Sequence, residues 1–311
     1  MERETVLPLT QRPHDPPLAV SVDASIDVTQ AIRRIMIEAL IEQHGDSAIH
    51  AAIHHHFSAG GGYLRARMAF ATSCALGLSE HDACVLASVC ELLHNASLVH
   101  DDVLDHDTQR RGQPSVWHAY NEGVAICLGD LFISTAFGLC AQLETHCERL
   151  PALLTLVNAK VRATIEGQAQ AFSSALRETL EFSRFTNAAK GKSGPLFSLA
   201  LEAPLTLSGH HHALDDARQA TEAFAVAYQI LDDIEDYEQD MALDECYGAF
   251  NLIRALERGG VMENASRFAC EHALRLLDDA QRHAQRLPMA SGNSLHHHAE
   301  TLKQRFVHAS I

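Results

Sequence analysis

The chain has 311 residues, 47% of them hydrophobic, with only 9 Pro and 17 Gly. That is enough apolar material for one large buried core, two at most, and it excludes low-complexity and collagen-like classes. The formal net charge of −16 argues against a nucleic-acid partner, which needs clustered Lys and Arg, and against docking on anionic lipid.

Residues 1–27 contain Pro8, Pro13, Pro16 and Pro17 without an apolar core. They read as a loose arm, neither signal peptide nor membrane span, in front of a single domain over 28–311. Residues 26–43 carry Ile26, Ala31, Ile32, Ile35, Ile37 and Leu40 at near-helical spacing, and residues 50–57 precede a glycine break at Gly60, Gly61 and Gly62. A second helix runs from Leu64 to about Leu76 and stops at Gly77. Ser79 with Asp82 reads as a capping box opening the next helix. Arg110, Arg111, Gly112 and Pro114 mark a loop. Helices are expected over 123–147 and 150–175. Residues 190–195, with Gly191, Gly194 and Pro195, read as a break before an apolar helix over 196–207. Further helices follow at 217–239, 263–286 and 294–306. No period-two run stands out, so the class is all-α, a single large helical bundle around a central cavity.

The eight cysteines (74, 84, 90, 127, 140, 147, 246, 270) form no Cys-x-x-Cys pair and read as small core hydrophobes. The His triplets at 54–56, 210–212 and 296–298 read as mostly exposed. No run approaches the length of a membrane span, so no transmembrane segment is expected, and a reducing cytoplasm is the expected compartment.

The helix after Ser79 has Val85, Leu86, Val89, Leu92, Leu93, Ala96 and Val99 on one face, and then Asp101, Asp102 and Asp105. Asp101 and Asp105 are four apart and share a side of the helix, where like charges repel. A divalent cation is the simplest compensation, and carboxylate oxygens suit Mg²⁺. One such cluster reads equally well as a solvated helix end. The same pattern returns, however: Tyr228, Gln229, Ile230 and Leu231 lead into Asp232, Asp233 and Asp236. Two acidic motifs on helices of one bundle can hold Mg²⁺ and a diphosphate between them, above a greasy pocket suited to an allylic prenyl diphosphate.

These motifs, in this order, resemble the trans-isoprenyl diphosphate synthase (polyprenyl synthetase) family. The resemblance runs from about Gly60 to Asp240 and rests on several elements. They are Glu91 to His94 with Ser97, Leu98 and His100 before Asp101; Arg110, Arg111, Gly112 and Pro114; Gly129 and Asp130; Gly167 and Gln168; Lys192 and Ser193; and Tyr228 to Asp236. It implies the isoprenoid synthase fold, a homodimer and a prenyltransferase joining an allylic diphosphate to isopentenyl diphosphate. It further implies Asp101, Asp102, Asp105, Asp232 and Asp236 as ligands of three Mg²⁺ ions, with Asp233 and Lys192 also catalytic. Arg110, Lys192, Gln229 and Ser193 (where the family usually has Thr) would hold the allylic diphosphate, and Arg65, His94 and Arg111 would hold isopentenyl diphosphate.

The chain departs from the family in two places. Gly62 stands where the family has a lysine, and residues 237–256 contain none of the lysines usual after the second motif. The acidic motifs are intact, so three readings stay open: an elongating synthase, an enzyme that gives the same cation another acceptor or cyclises it, and a modulating subunit. Ala96 and Ser97 are small where bulky aromatics in the family stop the product at fifteen carbons. With Leu93 and Leu92 about one turn deeper (~5.4 Å), they point to a product near twenty carbons, geranylgeranyl diphosphate or similar.

Overall fold

The computed structural model describes residues 22–41, 47–171, 182–237, 251–258 and 265–309. The first helices follow the apolar periodicity: α1 (Val22–Leu40), α2 (Ala48–Ser58), α3 (Leu64–Ala75) and α4 (Glu80–Leu104). A two-stranded hairpin, β1 (Gln109–Arg110) and β2 (Gln113–Pro114), comes next, antiparallel with Arg110 opposite Gln113. Its turn residues Arg111 (φ 53°) and Gly112 (φ 75°) are both left-handed, as a two-residue hairpin turn requires. Then come α5 (Val116–Ala119), α6 (Glu122–Leu139), α7 (Leu150–Ala171), α8 (Phe182–Ser208), α9 (Leu214–Glu235), α10 (Leu252–Arg258), α11 (Ala265–Ala284) and α12 (Asn293–Ala309).

The all-α class and most helix positions stand as expected, with four differences. Helix α1 starts at Val22, inside the stretch read as an arm; residues 1–21 lie outside the described residues. The hairpin and α10 were not anticipated, because two-residue strands and a seven-residue helix are too short to show a period. The break at 190–195 is absent, since α8 runs continuously through Pro195 and Pro204. A helix-interior proline removes one backbone bond, here to the carbonyl of Gly191. Buried Leu196, Phe197, Leu199, Ala200 and Leu201 on the following turns hold α8 together. Fourth, α4 and the stretch Glu122–Gln142 are by length and composition apolar enough to cross a membrane. The window in α4 is 78% buried, as in a core helix, against 39% for the second. The expected ends at 172–175, 239 and 263, and Cys246, lie outside the described residues.

Helix α4 sits at the centre, packed against α1, α3, α6 and α8, while α8 also packs on α7, α3 and α9. Two glycine notches set the spacing. A Cβ on Gly167 of α7 would run into the Gly191 backbone, so only glycine fits there, while one on Gly129 of α6 would meet the end of the His100 side chain, which would have to move. At its start α4 is capped by Ser79, whose Oγ accepts from the Asp82 amide at 3.1 Å. The Asp82 carboxylate does not return the bond. It accepts instead from the Glu144 and Thr145 amides at 2.9 and 3.1 Å and from Thr145 Oγ1, pinning the loop after α6.

Candidate active site

The two acidic motifs have the same local build. Each lies at a helix C-terminus: Asp105 caps α4 by donating its amide to the Asp101 carbonyl at 2.8 Å, and Asp236 caps α9 by donating to Asp232 at 2.9 Å. The negative end of a helix dipole is the wrong place for carboxylates, so each cluster needs outside positive charge.

Within each motif the middle aspartate is set apart. Asp102 is buried and accepts on Oδ1 from Arg110 Nε at 2.8 Å and from Arg110 Nη2. Burial still pushes its carboxyl up to about 6 despite that partner. Asp233 is likewise buried; its Oδ1 accepts from Gln229 Nε2 at 2.9 Å and its Oδ2 from the Leu252 amide at 2.8 Å. Its carbonyl accepts from Asn251 Nδ2 at 2.6 Å. Asp102 therefore fastens the hairpin behind the first motif and Asp233 fastens α10 behind the second. The resemblance counts Asp102 among the metal ligands and Asp233 as catalytic; here the carboxylate of each is engaged in one of these braces. Arg110 and Gln229, expected on the allylic diphosphate, spend hydrogen bonds on these braces.

The outer pairs remain. Lys192 of α8 lies 3.4 Å from Asp101 Oδ2 and 3.9 Å from Asp105 Oδ2. Burial raises both carboxyls, and Lys192 holds them partly down. Asp232 is pushed up to about 7, by burial first and then by Asp236, Asp233 and Glu235, with Arg305 opposing. Arg305, on α12, grips Glu235 with bonds of 2.8 and 2.6 Å. Ser193 lies one residue beyond Lys192 on α8 and is partly buried.

Arg65 of α3 bridges α4 and α8. Its Nη1 is 3.2 Å from His94 Nε2 on α4, and its guanidinium lies 3.8 Å above the Phe197 ring on α8. Burial lowers its pKa to about 10, and Asp232 on α9 is among the charges that oppose the fall. Burial and nearby arginines hold His94 well below the usual imidazole range, so the neutral ring accepts from Arg65. Arg111 donates to the Gly60 carbonyl. On α4, Leu93, Ser97 and Asp101 form one stripe at four-residue steps. Leu93, Leu92 and Ala96 are buried, while Ser97 is partly exposed and donates to the His94 carbonyl at 2.8 Å.

Sequence reasoning missed a buried polar chain beside this stripe. His56 Nε2 lies 2.8 Å from Asn95 Oδ1, and Asn95 Nδ2 donates to the Glu91 carbonyl at 2.8 Å and to its Oε1 at 3.3 Å. Burial takes His56 down to about 4. It is the exception to the reading of the triplets as mostly exposed: His54 is exposed, but His56, two positions round the helix, points inward. The Glu91–Asn95 step of four was the available signal. Arg305 and Asn251 gave none, being distant in sequence from the motifs they support.

A family model described as Polyprenyl synthetase matches residues 46–244. The chain belongs to the polyprenyl synthetase family. Among curated relatives, it is 32% identical over 187 residues to the all-trans-nonaprenyl-diphosphate synthase (geranyl-diphosphate specific) of Rhodobacter capsulatus, covering 60% of this chain and 56% of that one. A geranylgeranyl diphosphate synthase of Mycobacterium tuberculosis is 41% identical over 96 residues, covering 31% and 27%. The chain thus spans about half or less of the length of these relatives. The solved geranylgeranyl pyrophosphate synthetase of the archaeon Geoglobus acetivorans superposes with a TM-score of 0.78 at 23% identity, over 89% of this chain and 99% of that one. That likeness shows that this polyprenyl synthetase has the all-α fold of isoprenoid synthases.

Proposed function

We propose that the protein is a Mg²⁺-dependent prenyltransferase that condenses an allylic prenyl diphosphate with isopentenyl diphosphate. The observation that carries this reading is the pair of twin helix ends. Each presents two aspartates four residues apart at the negative end of a dipole; Lys192 lies against the first pair, and Arg65 feels the charge of Asp232 in the second. No group of three His, Cys, Asp or Glu side chains converges among the described residues as a metal-binding set. The donor chemistry nevertheless fits a hard cation: Asp232 sits among Asp233, Glu235 and Asp236, with Arg305 in opposition. Asp101, Asp105, Asp232 and Asp236 would hold Mg²⁺, with Asp102 and Asp233 holding the helix ends in shape. Bound there, Mg²⁺ neutralises the allylic diphosphate and makes it a better leaving group.

Lys192 and Ser193 orient the allylic diphosphate, joined by Arg110 and Gln229 when they exchange their aspartate partners for it. Arg65, His94 and Arg111 hold isopentenyl diphosphate. The allylic C–O bond breaks, the double bond of isopentenyl diphosphate attacks the allylic carbon, and a proton leaves to the departing diphosphate. Apolar walls from α4 and α8 keep water from the cation.

Ala96 and Ser97 admit a chain past fifteen carbons, and a product near twenty is expected. Ser97→Phe should then shorten it by one isoprene unit; an unchanged product would refute this geometry. The exposed apolar side of α6 supports a homodimer.

The decisive assay incubates the purified chain with Mg²⁺ and ten-, fifteen- or twenty-carbon allylic diphosphates, with and without isopentenyl diphosphate, and identifies products by mass. Longer diphosphates support the proposal. Hydrocarbons or alcohols formed without isopentenyl diphosphate mean cyclisation or hydrolysis instead, and no turnover means a modulating subunit.

A further inference from the structure

Of the histidine triplet at 54–56, two members face protein, and they face different elements. His56 Nε2 meets Asn95 Oδ1 on α4 at 2.8 Å, and the rings of His56 and Phe57 pack on Phe132 of α6 with centroids 5.6 and 5.5 Å away. Those contacts fix α2 against α6 and against α4, the helix that carries Asp101, Asp102 and Asp105. His55, one position round α2, points to the hairpin instead. Its Nε2 donates to the Pro114 carbonyl at 2.7 Å, and its ring meets Tyr120 edge-on at 5.7 Å. One turn on, Ser58 Oγ lies 3.1 Å from Gln113 Oε1, and Gln113 stands opposite Arg110 in the hairpin register. The space between His55, His56, Asp102, Arg110 and Pro114 is about 10 Å³, no more than a single water fills, so the hairpin rests on α2 itself.

The hairpin is thus slung between two helices. On the α4 side the Asp102 carboxylate grips Arg110, and the Asp102 carbonyl accepts from the Asp107 amide at 3.0 Å. On the α2 side it is held by His55 and Ser58. The two sides are not equally durable. Arg110 lets go of Asp102 when it turns to the allylic diphosphate, and the strand that carries it then depends on its partner strand, which is anchored to His55.

We propose that His55 is a positioning residue: through the Pro114 carbonyl it holds the hairpin in place while Arg110 binds the allylic diphosphate. This rests on the role given to Arg110 in the elongation reading above. Without substrate, Arg110 and Asp102 already hold the hairpin, so loss of the His55 bond is felt in substrate binding and not in the stability of the fold. Arg111, in the turn, keeps its own hold on the Gly60 carbonyl, which spares isopentenyl diphosphate.

The test is steady-state kinetics on the full chain, with thermal melting alongside. His55→Leu should raise KM for a ten-carbon allylic diphosphate about three- to tenfold, the range that one neutral hydrogen bond supplies, with kcat and KM for isopentenyl diphosphate within about twofold. Its Tm should stay within about 2 °C of the wild type. His55→Gln places an amide N–H near the old Nε2–H and should bring KM back to within about twofold of the wild type. His55→Asn is too short to reach Pro114 and should behave like the leucine variant, which it replaces if that one does not fold. Three results would each make His55 a packing residue and overturn the proposal: an unchanged allylic KM, a glutamine variant no better than leucine, or a lower Tm with KM unmoved. If the wild type elongates nothing, calorimetry with Mg²⁺ and the ten-carbon diphosphate decides. Binding weakened by His55→Leu and restored by His55→Gln upholds the role of His55 while the elongation reading fails. Equal binding by all three proteins, or none by the wild type, overturns it.

Discussion

Asp82 shows how one buried carboxylate can serve two elements. It lies in the first turn of α4, where the helix dipole favours negative charge, and accepts bonds from Thr145 Oγ1 and the Glu144 and Thr145 amides. Burial pushes its pKa up, but those bonds outweigh it and the net shift is downward. A lowered carboxylate contributes stability that is present above its unfolded value near 3.8 and lost as pH falls through the folded one. Asp82→Asn puts an N–H₂ where amides now donate, so it should cost about 1–3 kcal/mol at pH 7 in urea unfolding. The cost should shrink towards pH 3; a cost independent of pH would mean that the charge is irrelevant. Asp102 and Asp233 teach the complementary lesson. Spacing places them between the outer aspartates, but it does not say that each turns inward to fasten the next segment. That follows from Arg110 and Leu252, whose positions only the folded chain reveals.

At the scale of elements, periodicity located α1, α3, α4, α6, α7, α9, α11 and α12 because each buries a continuous apolar face. It failed at α8, where Gly191, Gly194 and Pro195 look like a break but the flanking turns are too well packed to unwind. The site was legible where chemistry and spacing coincide, in the repeated aspartates, and illegible where support comes from far away, as from Arg305 on α12. The repeated helix ends store electrostatic cost. Asp232, raised to about 7 by burial and by Asp236, Asp233 and Glu235, is destabilising in its charged form. A raised carboxylate favours the fold most below its unfolded value near 3.8, and that advantage disappears as pH rises through 7. Asp232→Asn should therefore raise the melting temperature of the metal-free protein at pH 8 by a few degrees and change little at pH 4. The same variant should elongate at least about a hundredfold more slowly, the trade expected of a strained active site. A variant no more stable than wild type at pH 8 would show that the crowding is relieved elsewhere.

For the whole molecule, the open question is what covers α6. The chain is acidic, at −16, yet the stretch Glu122–Gln142 is apolar and only 39% buried in its most apolar window. Ile126 is 47% exposed on α6 and Leu104 is 48% exposed at the nearby end of α4. Val124, Leu131, Ile133 and Phe137 are only partly covered. An apolar face of this kind marks a contact surface. A second copy would satisfy it symmetrically, because a two-fold axis lets the same helix meet itself. Like charges elsewhere on the surface would then keep larger aggregates apart. Ile126 is exposed in the single chain, so Ile126→Asp should leave the fold and melting curve nearly unchanged. Sedimentation velocity at micromolar protein should show a dimer for the wild type and a monomer for the variant, since a charge buried without a partner costs several kcal/mol at an interface. A variant that stays dimeric would move the interface off α6. A monomeric wild type would leave that apolar face to a different partner.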